Sequence, residues 1–319
     1  MDKKQDDNNA SVMIRCVQSR DFSGLQKLLV GGADINLKDS DGKTALAHAV
    51  SYSFKGIDMN LVKLLCEHGA DVNAQDNNGS TPLMISVLGK NADLTKYLIS
   101  QGADIQRRNS AGFSAVMSAC RFSDPATIAL LLEQGAPLHE LHAQYGSLLH
   151  FAVESNNIDT LKFLLERFDD PDMKIVGSIR ATPLLLAVEK NFTDAAMLLI
   201  NRGAEVNFRI PGGFSPLMTA VSKRNRVLAE ALMAAGADVN ARFEMDSFYD
   251  GATVLMCALG RFDSYAYERV KPPEPDRQIL EQLLERGADV YVTDKYGKSS
   301  LDMAKSMKNQ KFYRLLKKR

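Results

Sequence analysis

The sequence predicts an all-α solenoid, in which helix-turn-helix units stack one on the next and are joined by β-hairpin fingers. Three observations carry that expectation. The string Gly-Ala-Asp, or a near copy, returns at Gly32, Gly69, Gly102, Gly135, Gly203, Gly236 and Gly287. A second string of the form Thr-Pro-Leu-x-x-Ala interleaves with it, best preserved at Thr81-Pro82-Leu83, Thr182-Pro183-Leu184 and Ser215-Pro216-Leu217. Weaker copies begin at Ser11, Thr44, Ser114, Ser147, Thr253 and Ser299, and the steps between successive anchors are 33, 37, 33, 33, 35, 33, 38 and 46 residues. Half the steps are one length and the others are that length plus an insertion, so the 319 residues count repeats rather than two globular domains.

Each element of a unit follows from its residue types. Thr or Ser at the anchor can cap a helix N-terminus, and Pro at the next position sits where its missing N–H costs nothing. Leu83, Leu184 and Leu217 begin a buried face that continues at the small residues Ser86, Ala187 and Ala220, which let neighbouring units approach closely. A second helix follows with apolar spacing, as in Leu94–Leu98 and Leu228–Leu232. Asn91, Asn157, Asn191 and Asn225 lie between the helices, where a tight turn favours a left-handed residue. The glycine of each Gly-Ala-Asp then caps the second helix. Asp39, Asp76 and Asp294, each followed three residues on by Gly42, Gly79 or Gly297, supply turn chemistry for a hairpin finger. No unit can cover its own apolar face, so the units must stack.

A 33-residue period carrying Thr-Pro-Leu-x-x-Ala resembles the ankyrin-repeat family. The resemblance covers about residues 11–316 in nine consecutive units, starting near 11, 44, 81, 114, 147, 182, 215, 253 and 299, with residues 1–10 read as a disordered leader. It implies an ankyrin-repeat solenoid whose hairpin fingers and first helices line a concave, protein-gripping surface. Three places depart from the pattern. Four extra residues fall near 51–60, and thirteen fall between Gly260 and a second helix beginning near Gln278. Insertions of this kind map to loops on one edge of a solenoid. Between the fifth and sixth units the glycine cap is missing, and Phe168 stands in its place within Glu166–Met173. That leaves a bend, a local opening and an alternative cap as readings of the joint.

Composition and charge narrow the function classes. Hydrophobic residues make up 45% and charged residues 24%, while 39 Lys+Arg against 39 Asp+Glu leave a formal charge of +0. No molecule-wide field is present to hold a polyanion or an acidic membrane. The polar stretch 1–10 lacks the apolar core of a secretion signal, and Cys16, Cys66, Cys120 and Cys257 are too far apart for a disulfide framework. The expected compartment is the cytoplasm. Lys305, Lys308, Lys311, Arg314, Lys317, Lys318 and Arg319 crowd the last helix pair and read as a solvated cap.

Catalytic and metal chemistry find no support. His139-x-x-His142 with His150 has no cysteine to complete a tetrahedral set. His150 takes the position where the resembled family's histidine bonds the anchor hydroxyl, here Ser147. Cys16, Cys120 and Cys257 occupy small apolar positions of first helices, and Cys66 and His68 point to different faces of a helix. Asp169, Asp170 and Asp172 lack the spacing of a calcium loop, and Gly212-Gly213 lacks the strand and lysine of a phosphate loop. The expectation is therefore a protein that is not an enzyme, with no cofactor, no metal and no membrane span.

What remains is an interface. Finger positions of the first units are polar, as at Lys38, Ser40, Gln75 and Asn77, whereas from the fourth unit onward aromatic and arginine residues take over. Exposed aromatics interleaved with arginine are typical interface anchors. The candidate partner-binding residues are Phe113, Tyr145, Arg180, Phe208, Arg209, Phe214, Arg242, Phe243, Phe248, Tyr249 and Tyr296, with Tyr265 and Tyr267 on the long insertion at one edge. About half of the finger rings are expected to pack between adjacent fingers instead. The function expected is capture of another protein by a chain monomeric on its own. An inhibitor or regulator of a partner enzyme, and a binder of single-stranded RNA, are the alternatives.

Overall fold

The computed structural model describes residues 3–51, 56–172, 181–210, 213–244, 250–260, 274–306 and 310–318, with side chains from Ala10 onward. Two compact units divide it, Met1–Ala143 and Gln144–Arg319. The first holds four helix pairs: α1 (Lys3–Ser19) with α2 (Phe22–Val30), α3 (Ala45–Val50) with α4 (Met59–Glu67), α5 (Pro82–Leu88) with α6 (Ala92–Ser100), and α7 (Ala115–Phe122) with α8 (Pro125–Glu133). The second holds α9 (Leu148–Glu154) with α10 (Ile158–Leu165), α11 (Pro183–Glu189) with α12 (Thr193–Asn201), and α13 (Pro216–Ser222) with α14 (Arg226–Ala234). It ends with α15 (Val254–Ala258) and α16 (Arg277–Glu285), then α17 (Ser300–Ser306) and α18 (Gln310–Lys317). The fold is the expected all-α solenoid. Within each unit the first helices pack in series, α1 to α3 to α5 to α7 and α9 to α11 to α13 to α15 to α17. In the second unit the second helices α10, α12, α14, α16 and α18 do the same.

The anchors cap their helices as their chemistry requires. Thr44, Thr81, Ser114, Thr182, Ser215 and Thr253 each accept a backbone N–H three residues on, at 3.2–3.4 Å. A cap of this kind stabilises by about 1 kcal/mol, so the recurring string defines where each first helix begins. Ser299 forms a reciprocal pair instead, donating to Asp302 Oδ2 at 2.6 Å while accepting the Asp302 N–H at 3.1 Å. Ser11 differs. It lies inside α1, which is helical from Lys3 across the stretch read as a disordered leader. The small buried residues behave as expected, and the hydroxyl of Ser86 is satisfied by the Leu83 carbonyl at 2.8 Å and by Thr95 at 3.2 Å.

The turn between helices corrects the sequence reading by one residue. Asn91, Asn157 and Asn225 are the N-caps of α6, α10 and α14, their side chains accepting from Leu94, Thr160 and Leu228. The left-handed residue comes just before, at Lys90, Asn156 and Arg224, with Asn191 alone of the four asparagines adopting that conformation itself. Asparagine accepts a cap bond as readily as it bends the chain left-handed, and here the cap wins.

After the second helices other than α10 and α18 the chain turns through glycine, as at Gly102 with φ +89°, a conformation that a side chain would strain. Fingers follow, and strand content is slight: among the described residues only β1 (Leu141–His142) and β2 (Gly146–Ser147) are extended ladders. The finger tips are tight turns held by carboxylates. Asp39 Oδ1 accepts the N–H groups of Asp41 and Lys43 at 2.9 and 2.8 Å, and Asp76 and Asp294 repeat the pattern. Asn109 does the same work at 3.1 and 2.9 Å. Adjacent tips nearly touch, since a Cβ on Gly79 would lie 2.7 Å from the Ser110 nitrogen.

Asparagine bridges tie four of the repeats to the next. Asn73 accepts the Asp104 N–H at 2.7 Å and donates to the Gly102 carbonyl at 3.0 Å. Asn36, Asn207 and Asn240 do likewise to Asp71 and Gly69, Asp238 and Gly236, and Asp289 and Gly287. At the joint without a glycine cap, Phe168 is buried and not left-handed, its N–H bonded to the Leu164 carbonyl at 3.0 Å. Asp172 takes the asparagine's place and accepts the Glu205 N–H at 2.7 Å. An alternative cap without glycine therefore ends α10, as far as the described residues run, to Asp172.

Candidate partner-binding surface

Finger and first-helix side chains meet on one face around α5 and α7. In the first unit it carries a groove of about 240 Å³ between α5 and α7, with Met84, Ile85 and Leu88 on one side and Phe113 and Phe122 on the other. Leu88 and Phe122 are 52% and 49% exposed, a large apolar exposure for adjacent positions. The Arg121 guanidinium lies 5.2 Å from the Phe122 ring centroid, and Ser80, Asn109 and Ser118 complete the wall. The groove is thus an apolar slot with one cation and three small polar groups at its edge.

Of the residues read from sequence, Phe113 is half-buried in this groove, its ring 4.6 Å from that of His142. Leu88 and Phe122 are not among the residues the sequence singles out, because both lie on first helices rather than on fingers. A signal was present: the seventh residue after each anchor is Gln18, Ser51, Leu88, Arg121, Glu154, Glu189, Ser222, Gly260 and Ser306, and Leu88 is the apolar exception.

In the second unit Tyr145 is 38% and Tyr296 49% exposed, while Phe208, Arg209 and Phe214 are half-buried and Arg242 exposed. Phe243 is 5% exposed, and its ring packs on Phe214 at 4.9 Å, so it belongs to the finger's own packing. Arg180, Phe248, Tyr249, Tyr265 and Tyr267 lie outside the described residues, as does most of the long insertion.

The arginines have work within the fold. Lys38 donates to the Gln75 carbonyl at 2.7 Å, Gln75 to the Arg108 carbonyl at 3.3 Å, and Arg108 to that of Leu141 at 3.3 Å. In the second unit Arg209 donates to the Arg242 carbonyl, and Arg242 to that of Thr293 at 3.0 Å. Each rung runs from one finger to the next. Arg108 also pairs at 2.7 Å with Glu140, whose other oxygen accepts the Ser114 hydroxyl at 2.5 Å. Arg209 pairs with Glu244 at 3.0 Å.

The remaining chemistry-bearing residues are structural. His150 Nδ1 meets the Ser147 hydroxyl at 2.9 Å and accepts the Ser147 N–H at 3.2 Å, leaving Nε2–H to donate to the Ala181 carbonyl at 3.1 Å. Burial lowers the pKa of this imidazole to about 4. His142 Nε2 lies 2.8 Å from the Ala111 carbonyl, and His48 2.7 Å from Asp39. Burial pushes the Cys257 thiol up to about 12 and raises Cys120 too, so neither is a nucleophile. Among the described residues no cluster of His, Cys, Asp or Glu could hold a metal ion, and no helix is long and apolar enough to cross a membrane.

A family model for ankyrin repeats, in three copies, matches residues 13–109, 89–175 and 149–243. A putative ankyrin repeat-containing protein of Treponema pallidum is 33% identical over 48% of this chain and 45% of its own length. Human ankyrin repeat and SOCS box protein 6 is 32% identical over 48% of this chain and 32% of its own. An L-asparaginase of Dirofilaria immitis is 26% identical over 55% of this chain and 26% of its own. The matches thus span less than half the length of each of these relatives.

Proposed function

The chain belongs to the ankyrin-repeat family, whose repeats are protein–protein interaction modules, and from that premise we propose that it is a non-catalytic module gripping a partner protein by its finger and first-helix face. The observation that carries this reading is the α5–α7 groove. Leu88 and Phe122 expose apolar surface that the fold does not need to expose, with Phe113 beneath and Arg121 at the rim. An aromatic and aliphatic slot with a cation beside it suits an apolar side chain flanked by a carboxylate. In the second unit Tyr291, Tyr296 and Tyr145 are exposed and Phe208 is half-buried, so aromatic area is on offer there too. Single-stranded RNA is disfavoured, because Arg209 and Arg242 already spend donors on neighbouring finger carbonyls.

A photo-crosslinking residue in place of Phe122, set against one in place of the exposed Glu133 on the second helix, tests the reading in extracts of the source cell. Crosslinks to a discrete protein from position 122 alone, suppressed by Leu88→Ser, are expected. Equal labelling from both positions, or labelling indifferent to Leu88→Ser, refutes the groove as the site.

A further inference from the structure

The basic run of the last helix pair is more organised than a solvated cap. Lys311, Arg314 and Leu315 fall at intervals of three and four residues on one face of α18, and Lys318 follows in the turn just past its end. Arg277, in the first turn of α16, closes the other side, and together they line a cleft of about 420 Å³. Among the described residues no acidic side chain lines it. Arg277 is held by Glu281, its Nε 2.7 Å from Oε1, while among the described residues neither Arg314 nor Lys318 pairs with a carboxylate. Four cations around one cleft, in a chain of formal charge +0, concentrate a field that the overall balance conceals.

We propose that this cleft binds an acidic peptide segment, a run of Asp or Glu side chains interrupted by an aliphatic residue. Arg314 and Lys318 answer the carboxylates, and half-buried Leu315 offers the aliphatic contact. Two other anionic partners fit less well. Single-stranded nucleic acid needs aromatic faces on which bases stack, and Phe312 is buried beneath the cleft. A membrane surface needs an apolar helix face to insert, and Phe312 and Leu316 already turn theirs into the fold. The site lies on different elements from the α5–α7 groove and does not depend on it.

The test titrates the full chain against a fluorescent peptide repeating Glu-Glu-Leu, with its Gln-Gln-Leu counterpart as control. Binding of the glutamate peptide that weakens as sodium chloride is raised is expected. Arg314→Glu with Lys318→Glu should weaken it by about tenfold or more. Both residues are exposed, so the thermal transition should hold. Should it shift, Arg314→Gln with Lys318→Gln gives the same reading with less repulsion. Leu88→Ser should leave this binding unchanged. Equal affinity for the glutamine peptide, indifference to the charge changes, or preference for oligouridylate or phosphatidylserine vesicles overturns the proposal.

Discussion

The Phe214 ring lies 4.9 Å from the Phe243 ring, tilted by 43°, and the contact pins one finger to the next. In the sequence both rings are candidate partner-binding residues, whereas in the fold they cover each other. With Phe243 at 5% exposure, removing either ring leaves the other without its cover. Phe243→Ala should cost about 3 kcal/mol in urea unfolding. A midpoint unchanged from the parent chain would show that the fingers do not rely on the pair.

Acid should loosen the second unit before it titrates ordinary carboxylates. An unfolded imidazole takes its proton near pH 6.5, whereas buried His150 does so only near 4. Between those values the unfolded chain binds more protons, so stability falls as pH falls. The loss should amount to roughly 3 kcal/mol across the window, and His150→Gln should flatten the profile there. A wild-type midpoint constant from pH 7 to pH 4 would contradict this.

The Asn73 bridge separates two bonds by chemistry. Asn73→Asp keeps the acceptor for the Asp104 N–H but sets a carboxylate against the Gly102 carbonyl. It should cost about 1 kcal/mol while leaving the Asp104 amide protected from hydrogen exchange. Asn73→Ala should expose that amide as well. Identical exchange in the two variants would mean that the side chain does not hold it.

Thiol reactivity should follow burial. Cys66 is half-buried, whereas Cys16, Cys120 and Cys257 are buried, and desolvation raises the pKa of all four. Iodoacetamide applied to the native chain should modify Cys66 first, and Cys120 and Cys257 only with denaturant. Early labelling of Cys120, read by mass spectrometry, would place its helix in a more open state.

What was legible in the sequence is what neighbours decide. Thr81 caps α5 and Ser147 meets His150 through atoms three residues apart, so the strings announce the helices directly. The left-handed turn was misplaced by one residue because an asparagine satisfies either role and only the backbone path selects between them. The surface was less legible. Whether Phe243 is buried, or Arg242 occupied, depends on Phe214 and on Thr293, 29 residues before the first and 51 after the second. The exposure of Leu88 and Phe122 likewise arises from α5 and α7 lying side by side.

The asparagine bridges have a mechanical meaning. Each joins a unit only to the one after it, so a pull on the chain ends loads them in series, and the weakest yields while its neighbours hold. A released step of 33 residues adds about 110 Å of slack before tension builds again. Stretched in this way, the stack would lengthen as a ratchet of near-equal increments, and a partner spanning two units would act as a clasp against the next slip.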